Sequence, residues 1–400
     1  MVLNAVKSAG IIFGPIPHIL PTFKFGDECV PIGEKQTYVG VTVLSTNRNI
    51  FKLHYDVKAG KAKNTGNMIL ALQSVIGELP PWEMRKLYMA LVDPHLTHGA
   101  EICLDINPPL LEKLEEIQHR FLGRLLNVGE KCLTALLFTE TAVVPIKYRR
   151  IITALNYLKY LVQMPSDSYS SHAMRDSIEL ALSGKPCWVM DILYVLTNLP
   201  FNVMALNLTD LTPQNVDNTI RSINQGLANH LQQIVDISPK SYLLAGRLEL
   251  DKNGKPSHKT LYFRSYLDVI NYKHRKAITR IALSCHSLAV ERLRWCRPVV
   301  PRSERLCRFC KQKIETPEHA LLECRCSAEL INIREKFATD ITTINPELLN
   351  IEKYGLTQCL KNLISSKDAV SRVSQLAHEV LEVFDKFPIY VPTNSSMAVQ

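Results

Sequence analysis

Asn107-Pro108-Pro109-Leu110-Leu111-Glu112-Lys113-Leu114-Glu115-Glu116-Ile117-Gln118-His119-Arg120-Phe121-Leu122-Gly123-Arg124-Leu125-Leu126 is the stretch that decides the fold class. Asn at an N-cap accepts an orphan backbone N–H, and Pro just behind it loses nothing by lacking its own. Leu110, Leu111, Leu114, Ile117, Phe121, Leu122, Leu125 and Leu126 then recur at the spacing of one helix face, with Glu112, Lys113, Glu115, Glu116, Arg120 and Arg124 on the other. Such stripes are core faces, not cofactor boxes.

Downstream, Pro145 opens a helix with Tyr148, Ile151, Ile152, Leu155, Leu158 and Val162 inward and Lys147, Arg149, Arg150 and Lys159 outward. Upstream, the helical period begins near Asn47 and carries Lys52, Lys58, Lys61 and Lys63 outside; Leu79-Pro80-Pro81 stops it and starts another helix over Trp82–Val92. Further helices are expected over 167–183, 187–197, 212–236, 272–293, 329–337 and 369–384. Lys252-Asn253-Gly254-Lys255 reads as a turn between extended pieces at Tyr242–Leu250 and Thr260–Tyr266. Residues 10–43 read instead as short strands: Ile11–Phe13, Thr22–Phe25 joined through Gly26-Asp27 to Glu28–Ile32, and Thr37–Val43. The expected fold is mainly α, with a small N-terminal β piece.

Four hundred residues at 46% hydrophobic are enough for two or three domains with their own cores. Eleven cysteines at irregular spacing suit a reducing compartment, nuclear or cytoplasmic, better than a secreted disulfide framework. Cys29, Cys103, Cys132, Cys187 and Cys359 stand in apolar contexts as small buried hydrophobes. No apolar run reaches the roughly 18 residues of a membrane span, and the segment from Ala9 to Leu20 is broken by Gly10, Gly14, Pro15 and Pro17.

Cys307-Arg308-Phe309-Cys310, followed by His319 and Cys324, has the donor spacing of a zinc knuckle. The CxxC turn presents two thiolates on one side of an ion, and a His/Cys pair on a helical turn beginning at Thr316-Pro317-Glu318 closes the tetrahedron. Cys326 is a spare that could replace Cys324. The bland alternative is buried thiols with a surface His. Four protein ligands leave no open position for water, so such a site is structural.

The net charge of +9 is unevenly spread: Lys252–Lys313 holds sixteen Lys/Arg against Asp268, Glu291 and Glu304, a net +13, which leaves −4 for the rest. A charge run is ordinarily a solvated face. Here it is interleaved with Tyr262, Phe263, Tyr266, Tyr272, His274 and Trp295, rings that can stack on unpaired bases between phosphate contacts. The candidate nucleic-acid residues are Lys273, Arg275, Lys276, Arg280, Arg292, Arg294 and Arg297, with Arg120 and Arg124 on the helix quoted first.

Leu87-Tyr88-Met89-Ala90-Leu91-Val92-Asp93-Pro94-His95-Leu96-Thr97-His98-Gly99-Ala100-Glu101 with Leu114–Leu126 resembles the thumb of reverse transcriptases of non-LTR, LINE-like retrotransposons. Ser287–Trp295 and the knuckle after it resemble the zinc-binding region that follows the polymerase in the same elements. Leu3–Gly14 is similar to the palm just after the catalytic strand, with Lys7 at its basic position. Phe25-Gly26-Asp27 and Tyr38-Val39-Gly40-Val41 look like the primer-grip hairpin.

The resemblance implies a palm remnant with primer-grip-like hairpin over 1–46, a helical thumb over 47–165, a helical connector over 166–250, a basic segment with a CCHC knuckle over 251–340, and C-terminal helices and tail over 341–400. It implies RNA or DNA as partner and Zn2+ as structural cofactor, with no membrane and no small-molecule substrate. Polymerases of this type hold Mg2+ on paired aspartates. This sequence contains no Asp-Asp pair. Magnesium therefore belongs only to a full-length parent, and the chain is expected to bind nucleic acid without polymerising or cutting it. The alternative is a decayed fragment serving as a zinc-stabilised protein-interaction scaffold.

Overall fold

The computed structural model describes residues 8–15, 18–250 and 255–391, and they are mainly helical. Of the expected palm motif over Leu3–Gly14, the part up to and including Lys7 lies outside the described residues, as does Lys252–Gly254 of the expected turn. Strands β1 (Phe23–Phe25) and β2 (Glu28–Val30) pair through the two-residue Gly26-Asp27 turn. Thr37–Val43 is not one strand: β3 (Lys35–Tyr38) and β4 (Val41–Leu44) pair across Val39 and Gly40, both at positive φ, the backbone a tight hairpin needs. Ile11–Phe13 is irregular, and only Gly10 bridges to Ile32.

The chain divides into two compact units, each assembled from separated stretches. The first comprises the described parts of Met1–Ile69, Leu87–Gln118 and Val144–Leu227. It contains most of α1 (Lys52–Ile76) and of α4 (Pro108–Leu125), all of α3 (Asp93–Thr97), α6 (Ile146–Val162), α7 (Tyr169–Leu182) and α8 (Trp188–Thr197), and the start of α9 (Pro213–Ile237). Trp82–Val92 is not one helix. α2 (Pro81–Leu87) passes through a widened π turn at Tyr88–Val92 into α3, where Pro94 has no N–H for the regular ladder.

Arg150 does not face solvent as its helix pattern suggests; it is buried in an ion pair with Asp105 at 2.8 Å and also donates to Tyr55 Oη and the carbonyls of Leu96 and Cys103. Arg149 likewise pairs with buried Asp93 at 2.8 Å. Gly99, at φ 75°, sits where a Cβ would lie 2.9 Å from His54 Nε2, and that imidazole bridges the amide of Thr42 to the carbonyl of His98.

The second unit comprises the described parts of Leu70–Lys86, His119–Val143 and Ala228–Gln400. Its core is α10 (Tyr272–Ala282) laid along α14 (Val370–Asp385), which also packs α12 (Ala328–Ile344) and α13 (Ile351–Ser365); Ile278, Ile281, Leu363, Val380 and Phe384 are fully buried there. The basic helix expected over 272–293 stops at Ala282. Ser284 adopts φ 50°, and the amides of Ser284 and Cys285 return to the carbonyls of Ile281 and Arg280. That is a Schellman cap made without glycine, so no glycine marks it in the sequence. Short α11 (Ala289–Arg292) and a 3-10 turn at Leu293–Trp295 follow. Of the expected extended piece Tyr242–Leu250 only β5 (Glu249–Leu250) is a strand, and it pairs with β6 (Pro256–Ser257), ahead of the second piece; Thr260–Tyr266 forms no strand and runs into a 3-10 turn at Ser265–Asp268. Helices α5 (Thr134–Thr141) and α13 went unread because α5 is buried on nearly every face and α13 is kinked at Gly355.

α5 delivers Glu140, fully buried, to Arg247 (2.9 and 3.1 Å), Tyr266 Oη (2.7 Å) and Arg264 (3.5 Å). Burial alone would raise its carboxyl; the two guanidiniums outweigh that and hold it at about 2. His286, buried without a charged partner of opposite sign, is held neutral down to about 3 by desolvation, helped by Arg294. Both depressed values work in one direction. The His286 contribution is present above the ordinary histidine range and lost as pH falls from about 6.5 to 3, and that of Glu140 is lost between about 4.5 and 2. We expect the urea midpoint of this unit to fall steadily below about pH 6.5, and His286→Gln to flatten the slope above pH 4.5; an unchanged slope refutes the assignment.

Candidate metal centre

Leu306 and Ile314 form an antiparallel bridge, and the turn between them is closed by Cys307 N–H to Lys313 O (2.8 Å) and Lys311 N–H to Cys307 O (2.9 Å). This turn presents Cys307 and Cys310. His319 and Cys324 come from a π turn over His319–Glu323, in which Cys324 N–H donates to His319 O at 2.9 Å. The widening matters: in an α-helix residues five apart diverge by about 140°, whereas the i→i+5 ladder brings them to one side.

The four donor atoms lie within 4.8 Å of one another. Cys307 Sγ is 3.8 Å from Cys324 Sγ, and Cys310 Sγ is 3.4 Å from His319 Nε2. Tetrahedral coordination at the usual Zn–S and Zn–N lengths requires donor separations of roughly 3.6–3.8 Å. The group can therefore hold a metal ion with little rearrangement. The outer shell fits as well: Glu323 accepts from His319 Nδ1 at 2.7 Å, which leaves Nε2 to the site, and Lys313 pairs with Glu323. Arg334 donates to the carbonyls of Ala320, Leu321 and Cys324 and fixes the π turn from below. Cys326 is exposed and outside the group, so Cys324 is the fourth donor.

The protonation pattern suits a cation. The hydrogen bond from Cys307 holds the Cys324 thiol down to about 3, while Cys307 itself is pushed up by that same bond and by burial. Burial opposes a charged His319, but its bonds to Cys324 and Glu323 outweigh it and raise the imidazole to about 9. A bound dication would displace the protons on Cys307 and His319. No protein-family model, curated protein or solved structure matches this chain.

The candidate basic residues divide in two. Arg275 is buried and spends its guanidinium on the carbonyls of Val269 (2.6 Å) and Ile270 (3.2 Å), so it does not offer a surface charge. Arg294 is paired with Glu291 at 3.0 Å. Lys273, Arg292, Arg297, Arg120 and Arg124 are exposed, and Lys276 and Arg280 half-buried. The structure joins the end of α4 to α10: Tyr272 Oη donates to Asn127 Oδ1 (3.1 Å) and Arg280 Nε to Asn127 O (3.2 Å). Sequence reasoning missed Lys131 and Lys240, whose ammoniums lie 4.5 and 4.4 Å from the Trp295 ring centre; they stand far from it in sequence and from each other. Cys29, read as buried, is exposed.

Proposed function

We propose that this chain is a nucleic-acid-binding, C-terminal part of a retrotransposon-type reverse transcriptase. Its basic helices and zinc knuckle lie on template–primer or target, and it does not polymerise by itself. The observation that carries the reading is one compact unit holding both a Cys3His group and exposed cations from distant stretches, Arg120 and Arg124 from α4, Lys273 from α10, and Arg292 and Arg297 beyond it. Three thiols and an imidazole are borderline-soft donors, which favours zinc over the hard cations, and four protein ligands make its role structural. The adjacent aspartates that would hold magnesium are absent from the sequence. The described residues include no helix long and apolar enough to cross a membrane.

Phosphate contacts release counterions, so binding should weaken steeply with salt. If about five phosphates are neutralised, affinity falls roughly 500-fold between about 50 and 200 mM salt. A filter-binding titration checks this; salt-independent binding, or none, refutes the reading. The scaffold alternative is favoured by one observation: the surface beside the knuckle is of mixed charge, with the pairs Lys313–Glu323 and Lys386–Glu329. It predicts no nucleic-acid affinity at any salt.

A further inference from the structure

In the second unit a groove of about 680 Å3 runs beside Trp295, with Leu293 and Ile389 as apolar lining and Lys131, Lys240 and Arg292 among its polar groups. Trp295 is 45% exposed. Leu293 belongs to a small buried cluster with Ala289 and Val300 on which Ile389 packs, so the groove has a firm apolar base. Lys240 is held at the groove by donating to the carbonyl of Lys131. Two acids line it against three cations: Glu291, which is paired with Arg294 and also interacts with Lys240, and exposed Glu130.

We propose that this groove seats one unpaired nucleotide of a single strand, its base on Trp295 and its phosphate among Lys131, Lys240 and Arg292. The inference rests on the nucleic-acid reading and narrows it to an unpaired ligand. An ammonium resting on an exposed indole is a weaker contact than a stacked base. A base therefore takes the ring, and the displaced lysine, still tethered beside it, meets the phosphate that accompanies the base. A duplex cannot use the groove, because its bases already stack on each other and expose only their edges.

The position of Trp295 is fixed from the knuckle side. Arg305 donates to the carbonyls of Val290 (2.8 Å) and Val300 (2.9 Å), Glu315 accepts from the amide of Ala289 (2.7 Å), and Arg308 donates to the carbonyl of Ser287 (3.3 Å). The segment that carries Arg292 and Trp295 is thus held at several points by residues flanking Cys307 and Cys310, which makes the ring a preformed platform.

The test uses the full chain with two probes, a short oligothymidylate and a blunt duplex of about twelve base pairs. Oligothymidylate should quench tryptophan fluorescence. Trp295→Leu should abolish most of the quenching and weaken oligothymidylate binding about 10-fold, within the range of a lost base stack, while duplex affinity stays within about 2-fold. Trp295→Phe, which keeps a ring, should retain most of the affinity, and Lys131→Ala with Lys240→Ala, away from the apolar base, should weaken oligothymidylate binding without lowering the melting temperature. Wild-type affinity for oligothymidylate in both Trp295→Leu and the double lysine variant overturns the groove. Duplex binding without oligothymidylate binding overturns this inference alone, and binding of neither probe overturns the nucleic-acid reading with it.

Discussion

Cys310→Ser should lower bound metal from one ion per chain to a small fraction and unravel the knuckle over roughly 305–324. The variant loses one of four donors whose separations already match a tetrahedron. Loss of an outer-shell partner typically costs about 10–100-fold in metal affinity, and a direct ligand costs more. Because binding energy at such a site is folding energy, the loss appears as structure. The knuckle is also clamped to α14: Arg308 donates to the carbonyls of Phe384 (2.6 Å) and Phe387 (2.8 Å), and Phe309 packs edge-on against both rings. We therefore expect amide exchange to accelerate over 287–324, with α10, α12 and α14 still protected. Equal metal content by elemental analysis, together with unchanged exchange, would refute the site.

Arg150→Ala should destabilise the first unit by about 3–5 kcal/mol, the usual consequence of leaving a buried charge without its partner. Its side chain and that of Asp105 are each 4% exposed, and removing the guanidinium leaves the buried Asp105 carboxylate without its counter-charge, held only by Tyr55 Oη (2.6 Å), and takes the side-chain donor from the carbonyl of Leu96. Asp105→Asn with Arg150→Met, which removes both charges, should recover much of the loss. Urea unfolding of the three proteins checks this. A single variant within about 1 kcal/mol of the wild type would mean that water reaches the pair.

These two results probe opposite kinds of information. The Cys3His group that could hold a metal ion was legible because its four residues fall within eighteen consecutive positions at ligand spacing. α4, α6, α8 and α9 were legible because one apolar face repeats at helical spacing. The π turn that aligns His319 with Cys324 was not, since nothing local distinguishes it from an α turn. Nor was the end of α10, where Ser284 takes a left-handed backbone that ordinarily announces itself as glycine.

The sequence by itself determined the mainly helical class, most helix starts, the donor set and the concentration of positive charge. Only the tertiary structure decided which charges remain available. Arg150, Arg275 and Arg294 look the same in sequence as Arg120, Arg292 and Arg297, yet the former are spent on Asp105, on backbone carbonyls and on Glu291. The reason is that helical period and ligand spacing can be read along the chain, whereas desolvating a guanidinium is tolerable only where the folded chain brings acceptors to it, from distant segments for Arg150 and from adjoining turns for Arg275 and Arg294. The same holds for Trp295, whose two lysines arrive from Lys131 and Lys240 through the packing of the second unit.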